Sequence, residues 1–85
     1  MLAYALVPSD SAAATLATAS RREQRKLLDV LVGLKSAPFS SGNLREQDDQ
    51  GRINEMLVTG GWLLTYWADH AARELRLVQL ERISE

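Results

Sequence analysis

The chain contains no cysteine, one histidine, one phenylalanine and two prolines among 85 residues. Without cysteine there is no disulfide and no thiolate nucleophile. One histidine leaves a structural zinc site short of donors, since carboxylates alone seldom complete one. No metal and no other cofactor is therefore expected, and a reducing cytoplasm is the expected location. Long apolar runs are missing too. MLAYALVPSD lacks a basic n-region and its hydrophobic stretch stops at Pro8, too short for a signal peptide or a membrane span, so the mature chain is expected to begin here and to have no membrane association. Neither sign of charge dominates, with ten Lys and Arg against eleven Asp and Glu. Non-specific nucleic-acid affinity comes mostly from neutralising phosphates, so this balance makes a poor generic binder of RNA or DNA unless the charges are segregated. At this length the chain is a single domain, residues 1–85, that buries about 60 to 65% of its unfolded surface and has no room for a large internal active-site cavity.

The composition that is present, 46% hydrophobic and 25% charged, is that of a soluble domain with a packed core. Its charges are partly segregated. Arg21, Arg22, Arg25, Lys26 and Lys35 gather in one segment, and Glu46, Asp48, Asp49 and Glu55 in another. A solvated helix surface and a polar turn explain these clusters more economically than a binding patch.

Leu2, Tyr4 and Leu6 alternate with smaller residues before Pro8, the pattern of a short first strand. Ser9, Asp10 and Ser11 are N-cap types ahead of AAATLATA, a short helix. Ser20 and Glu23 have the spacing of a capping box, so a second helix begins there. It carries Leu27, Leu28, Leu31 and Leu34 along one side, widened by Val30, and should finish near Lys35 or Ser36 because Pro38 disfavours helical geometry at Ala37. The short link around Ala19 makes the pair an antiparallel helical hairpin. After the loop SSGN come strands at Asn43 to Gln47 and Arg52 to Thr59, separated by a turn over Asp48, Asp49, Gln50 and Gly51. Gly60 and Gly61 turn the chain into WLLTYWA, a buried strand. The last segment is ambiguous. Ala68, Ala71, Ala72, Leu75 and Val78 have helical spacing, yet Leu75, Leu77, Val78 and Leu80 form a compact apolar run, and Arg73 to Arg82 reads as a strand. The expected fold is α+β: an N-terminal short strand, a two-helix hairpin, then a four-stranded antiparallel meander packed on the helices.

Chemistry concentrates in GRINEMLVTGGWLLTYWADH, residues 51–70, which hold both tryptophans and the only histidine. Trp62 and Trp67 lie five positions apart and so face opposite sides of an ideal strand. Asp69 and His70 are adjacent at a turn, where neighbours rarely orient one another as an acid–base pair, and no motif identifies a nucleophile to complete a triad. A structural turn histidine is the plainer reading. Within this stretch, Gly51, Arg52, Glu55 and Gly60 followed by Thr65, Tyr66, Trp67, Asp69 and His70 form a phrase, GR-x-x-E-x-x-x-x-G and then TYW-x-DH. With DVLVGLKSAPF before it and ELRLVQL after it, the phrase resembles a loosely characterised branch of the RelE/ParE superfamily of small bacterial toxins.

The resemblance implies a compact α+β domain with a cognate antitoxin as partner. Ribosome-dependent members cleave mRNA with a few basic residues and a tyrosine; others inhibit DNA gyrase. Carried over residue by residue, it matches Arg52 and Tyr66; with His70 they make the expected catalytic set, and Lys35, Arg45 and Arg76 are the expected nucleic-acid contacts. Arg52 would stabilise the charged phosphate, while Tyr66 or His70 takes the proton of the ribose 2′-hydroxyl. The bland roles are a surface arginine at a strand end for Arg52 and a buried tyrosine with a satisfied hydroxyl for Tyr66. Two departures stand beside the likeness. The Tyr-Arg pair frequent in the family is Leu63-Leu64 or Trp62-Leu63 here, and ERISE follows the last strand without the family's C-terminal tyrosine or histidine, while Glu81 and Glu85 would repel phosphate. In a hairpin turning at Gly60-Gly61, Arg52 falls opposite Ala68 to His70, so Arg52, Tyr66 and His70 meet only if the register allows it.

Overall fold

Residues 3–83 are described by a computed structural model. Leu2, read as part of the first strand, and Glu85, read as repelling phosphate, lie outside them. The elements are β1 (Ala5–Pro8), α1 (Asp10–Thr18), α2 (Arg21–Ser36), β2 (Leu44–Gln47), β3 (Ile53–Thr59), β4 (Trp62–Asp69) and β5 (Glu74–Arg82). The expected α+β order is present, and the ambiguous last segment is a strand. Cross-strand pairing along eight residues of β4, from Trp62 opposite Arg82 to Asp69 opposite Glu74, outweighs the helical propensity of that stretch.

The helices begin where side chains can cap them. The Ser9 hydroxyl accepts the Ala12 amide at 3.1 Å and donates to the Val78 carbonyl at 2.7 Å, so one serine starts α1 and fastens it to β5. Ser20 and Glu23 form the reciprocal capping box of α2, at 3.2 and 3.3 Å. Between the helices the Gln24 amide donates to the Leu16 carbonyl at 3.0 Å. Helix α2 ends at Ser36, with Ala37 already out of helical geometry ahead of Pro38.

The sheet has the order β1-β5-β4-β3-β2. Strands β2 to β5 form the antiparallel meander, and β1 lies parallel to β5 with Leu6 beside Leu75, making a mixed five-stranded sheet. A parallel neighbour requires a crossover, and the two helices supply it. A bulge then adjusts the core. Thr65 opposes Gln79 and Tyr66 opposes Leu77, leaving Val78 unpaired, so Leu75, Leu77 and Leu80 all reach the buried side despite their uneven spacing. There they meet Trp62, Leu64 and Tyr66 of β4 beneath Ala12, Leu27 and Leu31 of the helices. Trp67 stands on the other side of β4, as its spacing from Trp62 requires. Among the described residues no helix is long and apolar enough to cross a membrane.

Candidate functional site

The two-residue turn at Gly60 and Gly61, both at positive φ, pairs Thr59 with Trp62 and carries the register down to Glu55 opposite Tyr66. Arg45 faces Glu55 from β2, and Leu77 faces Tyr66 from β5. Side chains alternate across a pleated sheet, so Arg45, Glu55 and Tyr66 share the side that bears the helices. Arg52 follows the opposite parity, with Trp67 and Arg76. The expected catalytic set is thereby divided between the two sides of one sheet end.

On the side without helices, the Arg52 guanidinium carbon lies 4.0 Å from the centre of the Trp67 ring, and that of Arg76, directly across the ladder, lies 5.9 Å away. They line a cleft of about 420 Å³ whose other walls include Pro8 and Asp69. Arg76 is held by Glu74 at 2.6 Å. Arg52 has no carboxylate partner among the described residues. Its turn is built by Asp48, whose carboxylate accepts the amides of Gln50 and Arg52, each at 2.9 Å. A guanidinium resting on an aromatic face keeps its donors at the rim free for an anion.

The helix-bearing side is a saturated network with one exception. The Glu55 carboxylate takes Arg45 Nε at 2.9 Å and the Gly42 amide at 2.9 Å, and Arg45 Nη2 donates to the Ser41 hydroxyl at 2.8 Å. Gly42 is fixed by space, since a Cβ there would stand 2.5 Å from the Met56 carbonyl oxygen. Tyr66 is only 3% exposed and its hydroxyl has no partner among the described residues, in contrast to the expected satisfied phenol. Burial, and after it the charge of Glu55, push its pKa above the ordinary tyrosine value. Arg45, Tyr66 and His70 line a cleft of about 380 Å³ with Phe39 and Trp67. His70 sits in the turn after β4, shares a 2.7 Å hydrogen bond between Nδ1 and Tyr4 Oη, and stacks on Phe39 with ring centroids 4.4 Å apart. Lys35 belongs to neither group. It lines an apolar cleft of about 550 Å³ with Tyr4, Pro38 and Phe39 at the end of α2.

Trp67 was read for its side of the strand but not as the seat of Arg52, although the parity it shares with that arginine was a signal. Tyr4 and Phe39 give no local signal of their contact with His70, because it depends on β1 and the loop after α2 reaching the same corner.

No protein-family model and no curated protein matches the sequence. Solved structures do match. The chain is similar to the isolated E. coli RelE toxin, with a TM-score of 0.80, 16% identity, and 98% of this chain and 87% of that one covered. It is similar to the RelBE2 toxin-antitoxin complex of Mycobacterium tuberculosis at 0.76 and 13%, covering 95% and 99%. The intact E. coli RelBE toxin-antitoxin complex gives 0.74 and 17%, covering 98% and 100%. At these identities the likeness is one of fold, and the fold is that of RelE toxins.

Proposed function

We propose that the chain is the toxin-like component of a type II toxin-antitoxin pair, works in the cytoplasm by macromolecular contact, and has a cognate antitoxin as its partner. The observation that carries this reading is the match of nearly the whole chain to a RelE toxin solved alone and to RelE-type chains solved in toxin-antitoxin complexes. The Arg52–Trp67–Arg76 cleft supports it, because it offers an anion one guanidinium with no carboxylate partner among the described residues, beside an aromatic face.

Ribosome-dependent mRNA cleavage is the finer form of the same reading, with Arg52 on the phosphate and Tyr66 or His70 taking the 2′-hydroxyl proton. The geometry favours contact over cleavage. A phenol with a raised pKa stays protonated at neutral pH and so donates a hydrogen bond rather than accepting a proton. His70 has one ring nitrogen committed to Tyr4, and both residues differ from Arg52 in the side of the sheet they serve. These features, and the leucines where the family often has Tyr-Arg, support a rival in which the fold is a catalytically inactive interaction module. Gyrase inhibition remains the alternative target of a toxin with this fold.

Inducing the gene alone in bacteria tests these readings. The expected result is growth arrest relieved by co-expression of a short neighbouring reading frame and by Arg52→Ala, with transcripts intact. Cut transcripts would turn the reading toward the nuclease, and altered DNA supercoiling toward gyrase. Unchanged growth would overturn the toxin reading and leave the inactive module.

A further inference from the structure

Helix α2 buries Leu27 and Leu31 against the sheet, yet its opposite side is not the uniformly polar surface such a helix usually shows. Leu28 and Val32 are 43% and 52% exposed there. Gly33, in the helix interior, is exposed beside them, and a Cβ built on it would meet nothing within 4 Å. Glycine inside a helix is unfavourable relative to alanine. No contact among the described residues requires it. Asp29, Val32, Gly33 and Ser36 stand at i, i+3, i+4 and i+7, the four corners of a hole that receives a side chain from a crossing helix. With glycine and serine at two corners the hole is deep, and Leu28 and Val32 furnish its apolar rim.

The charges beside this hole select its occupant. Arg21, Arg22, Arg25 and Lys26 are all exposed in the first two turns of α2, where the helix dipole disfavours cations, and none forms an ion pair among the described residues. The one acid of that first turn, Glu23, is taken by Arg82 at 2.6 Å. A second copy of this chain would bring the same four cations and repel them. An acidic partner would neutralise them.

We infer that the outer face of α2 docks an acidic amphipathic helix of a protein partner, whose apolar side chains enter the hole at Gly33 and whose carboxylates lie over Arg21 and Arg25. This deepens the reading of a chain that works with a protein partner, and rests on it. The probe is a synthetic amphipathic peptide with leucines on one side and glutamates on the other, labelled and titrated by fluorescence anisotropy. A second peptide carries lysines for glutamates. The glutamate peptide binds and the lysine peptide does not. Gly33→Leu fills the hole and weakens binding at least about tenfold, one lost apolar side-chain burial, without lowering the thermal midpoint of the free domain. Gly33→Ala raises that midpoint while weakening binding less, and Arg25→Glu weakens the glutamate peptide. Failure of the glutamate peptide to bind, equal binding by Gly33→Leu, equal binding of both peptides, or a dimer in sedimentation that Gly33→Leu abolishes would each overturn the inference. The growth assay stays separate: peptide binding without growth arrest overturns the toxin reading alone, and growth arrest without peptide binding overturns the docking face alone.

Discussion

Each tryptophan of β4 has one arginine close over its ring, with nearly the same geometry and different surroundings. Arg82 stands 4.4 Å from the Trp62 ring and Arg52 stands 4.0 Å from the Trp67 ring. Trp62 is 5% exposed in the core, and Arg82, its partner in the ladder, is held at 2.6 Å by Glu23, the residue that also closes the capping box of α2. Trp67 is half-buried on the side without helices, and Arg52 has no acid partner among the described residues. A cation over an aromatic ring contributes about 0.5 to 1 kcal/mol at exposed sites, too little to assign either pair a role. What surrounds the contact assigns it. The Arg82 pair joins helix to sheet, whereas the Arg52 pair leaves a charge available to a partner.

The largest test of this difference is truncation of each ring. Trp62→Ala should lower stability by about 3 to 5 kcal/mol, as for other core aromatics, while Trp67→Ala should cost only about 1 kcal/mol. Urea midpoints of the two variants measure it, and equal losses would break the comparison. Tyr66→Phe comes next and has the opposite sign. It removes a buried hydroxyl that has no partner among the described residues, so stability should rise by about 1 kcal/mol, and a fall would mean that the hydroxyl is satisfied in solution. Smaller still is Arg52→Ala, whose stability effect should stay within about 1 kcal/mol. Its effect on function should be clearer. If the cleft contacts phosphate, Arg52→Ala lowers the salt slope of binding to a single-stranded RNA probe by about 1, and Arg82→Ala leaves that slope unchanged.

Much of this arrangement was legible because it is local. Ser20 and Glu23 meet within a turn of helix, Pro38 acts on the residue before it, and the paired glycines at 60 and 61 admit one tight turn. That turn also held the division of the site. Once Thr59 pairs with Trp62, Glu55 must pair with Tyr66, and Arg52 must then share parity with Trp67 rather than Tyr66. Arg52, Tyr66 and His70 were grouped through the family phrase on the condition that the register brings them together, and the alternation of the pleat separates Arg52 from the other two. What stayed hidden is non-local. The parallel seat of β1 depends on where two helices return the chain, the bulge at Val78 on core packing across β4, and the contact of Tyr4 and Phe39 with His70 on both.

The Arg82 pair can be sharpened by acid. Its guanidinium and the capping bonds of Ser20 hold the Glu23 carboxyl down to about 2, against an ordinary value of 4.5. A carboxyl whose pKa is lowered by folding contributes stability that is fully present above its unfolded value and is lost as pH falls through the folded one. Wild type should therefore lose the Glu23 contribution between about pH 4.5 and pH 2. Glu23→Gln lacks that titration, so the gap in stability between wild type and variant should be widest near neutrality, narrow through this window and close at its acid end, as followed by urea unfolding at each pH. Salt should shrink the neutral gap as well, since the pair is partly exposed. A gap that persists at the acid limit would mean that glutamine disturbs the start of α2 for reasons of shape, and the Arg82 pair would then resemble the Arg52 pair, a contact with little hold on the fold. A gap that closes on schedule places the difference between the two tryptophans in the carboxylate that Arg82 has and that Arg52 lacks among the described residues.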